Sequence, residues 1–112
     1  MNDFVKLAAI NDELIEIGEF LTESRHECET ADDYVAVFNE AERRLKASVS
    51  RLDKLRLGKV GMLNRVHLRK VFEAAIKAAH HSGKCEFDIA KKYEVEVQEQ
   101  AQRFAKAVSR YV

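Results

Sequence analysis

The chain lacks proline and tryptophan, and among its 112 residues it carries four glycines and two cysteines. Without proline and with so little glycine, collagen-like, proline-rich and low-complexity readings fall away. Two cysteines do not make a disulfide framework, and reduced thiols point to the cytoplasm. No apolar run approaches the roughly 20 residues that a bilayer span needs. The opening MNDFVKLAAINDEL has no basic start followed by an apolar block, so we expect neither a secretory signal nor a membrane role. Glycine-rich phosphate loops, Gly-x-Ser-x-Gly turns and His-Glu-x-x-His steps are also missing.

What is present is charge, and it is sorted. Lys plus Arg and Asp plus Glu both number 19, a formal net charge of zero. Residues 1–42 nevertheless hold 12 acids against Lys6 and Arg25. Residues 43–84 hold 12 bases against Asp53 and Glu73, and residues 85–112 hold five of each sign. Two outcomes follow from such sorting. Acidic and basic faces neutralise one another, within a monomer or across a dimer, or the basic middle meets an outside polyanion.

Apolar spacing predicts four helices in a single domain spanning 1–112. The first runs from about Asp3 to Ser24, capped by Asn2, on a seam of Leu7, Ile10, Leu14, Ile17 and Leu21 extended by Phe4. Gly18 beside that seam is expected to let another helix approach. Thr30 and Asp33 form a capping box opening the second helix, whose seam is Tyr34, Phe38, Ala41, Leu45, Ser48 with Val49, Leu52 and Leu55. Gly58 is read as its stop, and residues 58–63 as a link. Asn64 is expected to cap the third helix, which buries Leu68, Val71, Phe72, Ala75, Ile76 and Ala79 and stops at Ser82-Gly83. The fourth, from about 88 to 110 with Asp88 as cap, repeats Ala90, Tyr93, Val97, Ala101, Phe104, Val108 and Tyr111. Short links favour antiparallel neighbours. The fold class expected is therefore all-α, an antiparallel up-down bundle of four helices with a long helix 1–helix 2 hairpin. Leu57, Val60, Met62 and Leu63 around the middle turn are expected to cap the core, with meeting a partner as the alternative.

Candidate sites are few. His26, Cys28, His80, His81 and Cys85 fall beside the first and third connections, which share one end of an up-down bundle. A Cys2His2 zinc site is geometrically conceivable there, but the spacing matches no zinc pattern, and we expect surface histidines, no metal and no cofactor. His67-Leu-Arg-Lys70 resembles the His-x-x-Lys step of histidine phosphotransfer domains, which are also four-helix bundles. The resemblance implies phosphoryl transfer through His67, but Val71 stands where that family usually has glycine. Asp88 to Val97 resembles the first helix and turn of a helix-turn-helix unit. Glu94 stands at the usual glycine, and the following helix is acidic, so a continuous helix explains these residues better.

The basic run is the stronger signal. Arg43, Arg44, Lys46, Arg51, Lys54, Arg56, Lys59, Arg65, Arg69 and Lys70 crowd one stretch with Asp53 as its single acid. They are the residues expected to bind a partner, unless they face the acids of the first helix. Solvated carboxylates and a small bundle argue against an enzyme or a small-molecule substrate. The sequence thus points to a binding protein, an adaptor, inhibitor or regulatory subunit acting through charged helix faces on another protein or on a second copy as a homodimer. The alternative is a nucleic-acid-binding regulator using the 43–70 surface, and a third reading is phosphotransfer through His67.

Overall fold

Helix α1 spans Asp3–Glu27, α2 Ala31–Lys54, α3 Lys59–Gly83 and α4 Phe87–Ser109 in the computed structural model, which describes residues 2–110. Local chemistry sets several of these ends. The Asn2 side chain accepts a hydrogen bond from the Phe4 N–H at 2.7 Å and opens α1. At α2 the capping box closes both ways. Asp33 N–H donates to Thr30 Oγ1 at 3.1 Å, and Thr30 N–H donates to Asp33 Oδ2 at 3.1 Å. The Glu29 N–H joins at 3.2 Å, and hydrogen bonds to the Asp33 carboxyl from the Glu29 N–H, the Thr30 side chain and the Thr30 N–H hold it below its ordinary range, Glu29 contributing most.

The start of α3 differs from expectation. It begins at Lys59 with Gly58 as N-cap, and Asn64 lies inside the helix, buried, its Nδ2 donating to the Val60 carbonyl at 2.9 Å. Tertiary contact explains the earlier start. Gly58 N–H donates to Asp3 Oδ2 at 2.8 Å, so α1's first residue ties down the turn. Gly61 is where α3 meets that residue, since a Cβ there would lie 2.9 Å from Asp3 Cβ. Gly18 does not serve as the approach point, for nothing stands within 4 Å of the Cβ it lacks.

The other end falls at Gly83, as expected, and the chain turns two residues later, at Cys85 with φ 60°. Glu86 N–H reaches the His81 carbonyl at 2.9 Å and Cys85 N–H the Ser82 carbonyl at 3.0 Å, the paired bonds of a Schellman ending. Helix α4 then starts at Phe87, with Asp88 in its first turn instead of capping it. Tyr111 lies outside the described residues.

The four helices are 25, 24, 25 and 23 residues long, so α3 and α4 match the α1–α2 hairpin in length. They form an all-α bundle with principal extents of 46 × 23 × 19 Å. Successive helices pack on one another, and α1 also meets α3 across the diagonal. The core is built on Leu7, Ile10, Ile17, Phe38, Leu45, Leu52, Leu68 and Phe72. Leu14 and Leu21, on the same α1 seam, remain partly open. Of the apolar residues around the middle turn, Leu57 packs against the core, but Val60, Met62 and Leu63 face solvent. Among the described residues no helix is long and apolar enough to cross a membrane.

Candidate docking site

The half-open leucines mark where the bundle fails to close. Helix α1 is drawn toward α2 and α3, and a cleft remains between it and α4. Phe4, Ala8, Leu14 and Ile15 line one wall, Ala101, Phe104, Ala105 and Val108 the other, around about 720 Å³. A second cleft of about 470 Å³ shares Leu14 and continues along Ile17, Gly18, Leu21 and Thr22 to Arg25, opposite Glu94, Val97 and Gln98. From Phe4 to Arg25 the seam spans roughly 30 Å at 1.5 Å per residue. Glu19 and Glu23 edge it on α1 beside Ile15 and Thr22, and Asp12 repeats their face one heptad earlier. None of these three acids makes an ion pair with a described residue. The sequence carries one sign of this cleft: Ala8 and Ile15 widen the α1 stripe beyond the seam of Leu7, Ile10, Leu14, Ile17 and Leu21.

Little of the sorted charge cancels between α1 and α2. One ion pair joins them among the described residues, Glu13 to Arg51. The fully buried Ser48 hydroxyl donates to the same Glu13 oxygen at 2.8 Å, and Arg51 Nε does so at 2.9 Å. Burial pushes the Glu13 carboxyl up, but the Arg51 and Ser48 hydrogen bonds together outweigh it and hold it below its ordinary 4.5.

The other bases find acids nearer in the chain. Arg43 and Arg44 both bind Glu40, whose carboxyl falls to about 2 through those hydrogen bonds, Arg43 contributing most. Lys46 pairs with Glu42 at 3.6 Å, and Arg69 with Asp53 and Glu73. Arg44 also lies over the Phe20 ring, 4.0 Å from its centroid. Arg65 donates to the Leu55 carbonyl at 3.0 Å. Of the ten candidate bases, Lys54, Arg56, Lys59, Arg65 and Lys70 make no ion pair with a described residue. Lys54, Arg56 and Lys59 stand at the turn between α2 and α3, and Arg65 and Lys70 follow along α3. The ten side chains therefore form two groups, one matched along α2 and onto α3, the other without an ion pair from that turn into the first half of α3.

Cys28 and Cys85 are free thiols lining a common cleft of about 320 Å³ with Arg25, Tyr34 and Phe87. The histidines beside them are otherwise engaged. His80 Nδ1 lies 2.9 Å from Glu42 Oε1, and the His81 ring stacks on Tyr93 with centroids 5.5 Å apart. Among the described residues no three His, Cys, Asp or Glu side chains are grouped to hold a metal ion. His67 is half-buried on α3, with Lys70 exposed one turn on. No protein-family model, curated protein or solved structure matches the chain, so its role is argued from its own geometry.

Proposed function

We propose that the chain is a non-enzymatic protein-binding module, an adaptor, inhibitor or regulatory subunit, that takes a helical segment of a partner into the α1–α4 cleft. The observation that carries this is the cleft itself: between α1 and α4 the described residues leave an apolar groove, while the other neighbouring helices pack on one another. Covering such a floor is favourable by roughly 25 cal/mol per Å² of apolar surface removed from water. An amphipathic helix laid into a groove is the economical way to do it. The carboxylates of Asp12, Glu19 and Glu23 select a helix with basic flanks and repel an acidic one. The two free thiols support a reducing, cytoplasmic setting.

The nucleic-acid reading draws on fewer groups than the sequence offered. Arg43, Arg44, Lys46, Arg51 and Arg69 would each have to leave a carboxylate to reach a phosphate. Fluorescence anisotropy separates the two with three probes of about 20 residues or base pairs, the length that fills the cleft: an amphipathic Leu/Lys helix, its Leu/Glu counterpart and a DNA duplex. The Leu/Lys helix should bind at least tenfold more tightly than the Leu/Glu helix, and Ile15→Arg should weaken it about tenfold, roughly 1.4 kcal/mol. Binding of the duplex alone, or helix binding indifferent to Ile15→Arg, contradicts the proposal.

A further inference from the structure

The most apolar outward face of the molecule lies away from the cleft, on the first two turns of α3. Among the described residues nine large apolar side chains are exposed, and four of them, Val60, Met62, Leu63 and Val66, fall within seven positions there. Leu63 is 63% exposed. Lys59, Met62, Leu63, Val66 and Lys70 recur at spacings of three and four, which places them on one side of the helix. Lys54 and Arg56 stand beside this side at the preceding turn, and none of these four cations has an ion-pair partner among the described residues. The result is a basic, apolar helical face, rigidly held because α3 buries Gly61, Asn64 and Leu68 on its other side. That burial also prevents the face from turning inward to cover the cleft of its own chain.

We propose that this α3 face of one copy docks into the α1–α4 cleft of a second copy. The inference rests on reading the cleft as a helix-docking site and adds its occupant. Complementarity selects it: the cleft offers an apolar floor under Asp12, Glu19 and Glu23, and the α3 face offers apolar side chains between Lys59 and Lys70, none of which has an ion pair among the described residues. Stacking α1 of one copy antiparallel on α1 of another would instead set those three acids against their own counterparts. Because the two docking surfaces differ, a pair joined once keeps one unused cleft and one unused face, on different copies. Association is therefore head-to-tail, growing into chains or closing into rings, of which two copies docked reciprocally about a two-fold axis are the smallest.

Two exposed double variants test this by sedimentation velocity: Lys59→Glu with Leu63→Glu on the face, and Ile15→Lys with Glu19→Lys in the cleft. Circular dichroism checks that both keep the bundle. The wild-type mass should rise with protein concentration and fall back when salt is raised. Each variant alone should stay monomeric. An equimolar mixture should form a 1:1 dimer that grows no further, because one partner supplies a sound cleft and the other a sound face. A wild type that stays monomeric at every concentration overturns the proposal, as does a mixture that stays monomeric. If the wild type is monomeric and the Leu/Lys helix still binds, self-docking fails and the cleft reading stands. If neither association occurs, both fall.

Discussion

Cys85 holds a backbone angle that glycine adopts freely and other residues adopt at a cost. Its φ of 60° completes the Schellman ending of α3, and its side chain is exposed. Cys85→Gly should therefore stabilise the bundle by about 1 kcal/mol and raise the melting temperature by about 4 °C. A thermal melt followed at 222 nm measures it, and an unchanged or lower midpoint would show that the turn carries no strain. The same position explains what was legible at this scale. Asn2, Thr30 and Asp33 cap as read, because their hydrogen bonds reach only two or three residues along the chain. Ser82-Gly83 marked the stop correctly, but the residue that takes the left-handed turn comes two positions after it, because the chain completes a Schellman ending before it turns. Asn64 was misread because a contact 55 residues away in sequence, Asp3 on the Gly58 N–H, started α3 a turn and a half earlier.

Helix seams were legible because core burial imposes a period on the sequence. Leu7, Ile10 and Ile17, Phe38 to Leu52, and Leu68 to Ala79 all face inward as spaced. The pairing of charges between helices was not legible. A base three or four residues from an acid on its own helix reaches it without any tertiary arrangement, and so Glu40 and Glu42 take Arg43, Arg44 and Lys46 before α1 does. Glu13 is the exception, since a buried hydroxyl and Arg51 converge on it. Its lowered carboxyl gives a signed prediction. The stability it contributes is complete above its ordinary value of 4.5 and is lost as pH falls below that through the lowered value in the fold. Glu13→Gln should cost about 1 kcal/mol at neutral pH. The gap between wild-type and variant urea midpoints should shrink below pH 4.5. A gap that stays constant, or widens, in acid would contradict the assignment.

At the scale of the molecule, a four-helix bundle was expected and found, but its unevenness was not foreseen. Four amphipathic seams say that helices pack, not that α1 leans across toward α3 and leaves α4 apart. That lean follows from Asp3 meeting Gly58 and Gly61, and from Glu13 meeting Ser48 and Arg51. Both contacts draw α1 to one side. It exposes the seam at Leu14, Ile15 and Leu21, and it converts an acidic helix from a partner of α2 into the edge of a docking cleft. Val60, Met62 and Leu63, expected to cap the core, are outside it for a related reason. Leu57 and the buried turn at Gly61 already close that end. The most direct test of the open side is solvent paramagnetic relaxation of methyl groups, measured on dilute protein with a neutral gadolinium chelate. The account predicts strong enhancement at Ile15, Ala105 and Val108 and almost none at Leu68 and Leu52, with the first three quenched on adding the Leu/Lys helix. Ile15, Ala105 and Val108 as shielded as Leu68 in the dilute free protein would mean that α4 closes on α1 and that there is no cleft to fill.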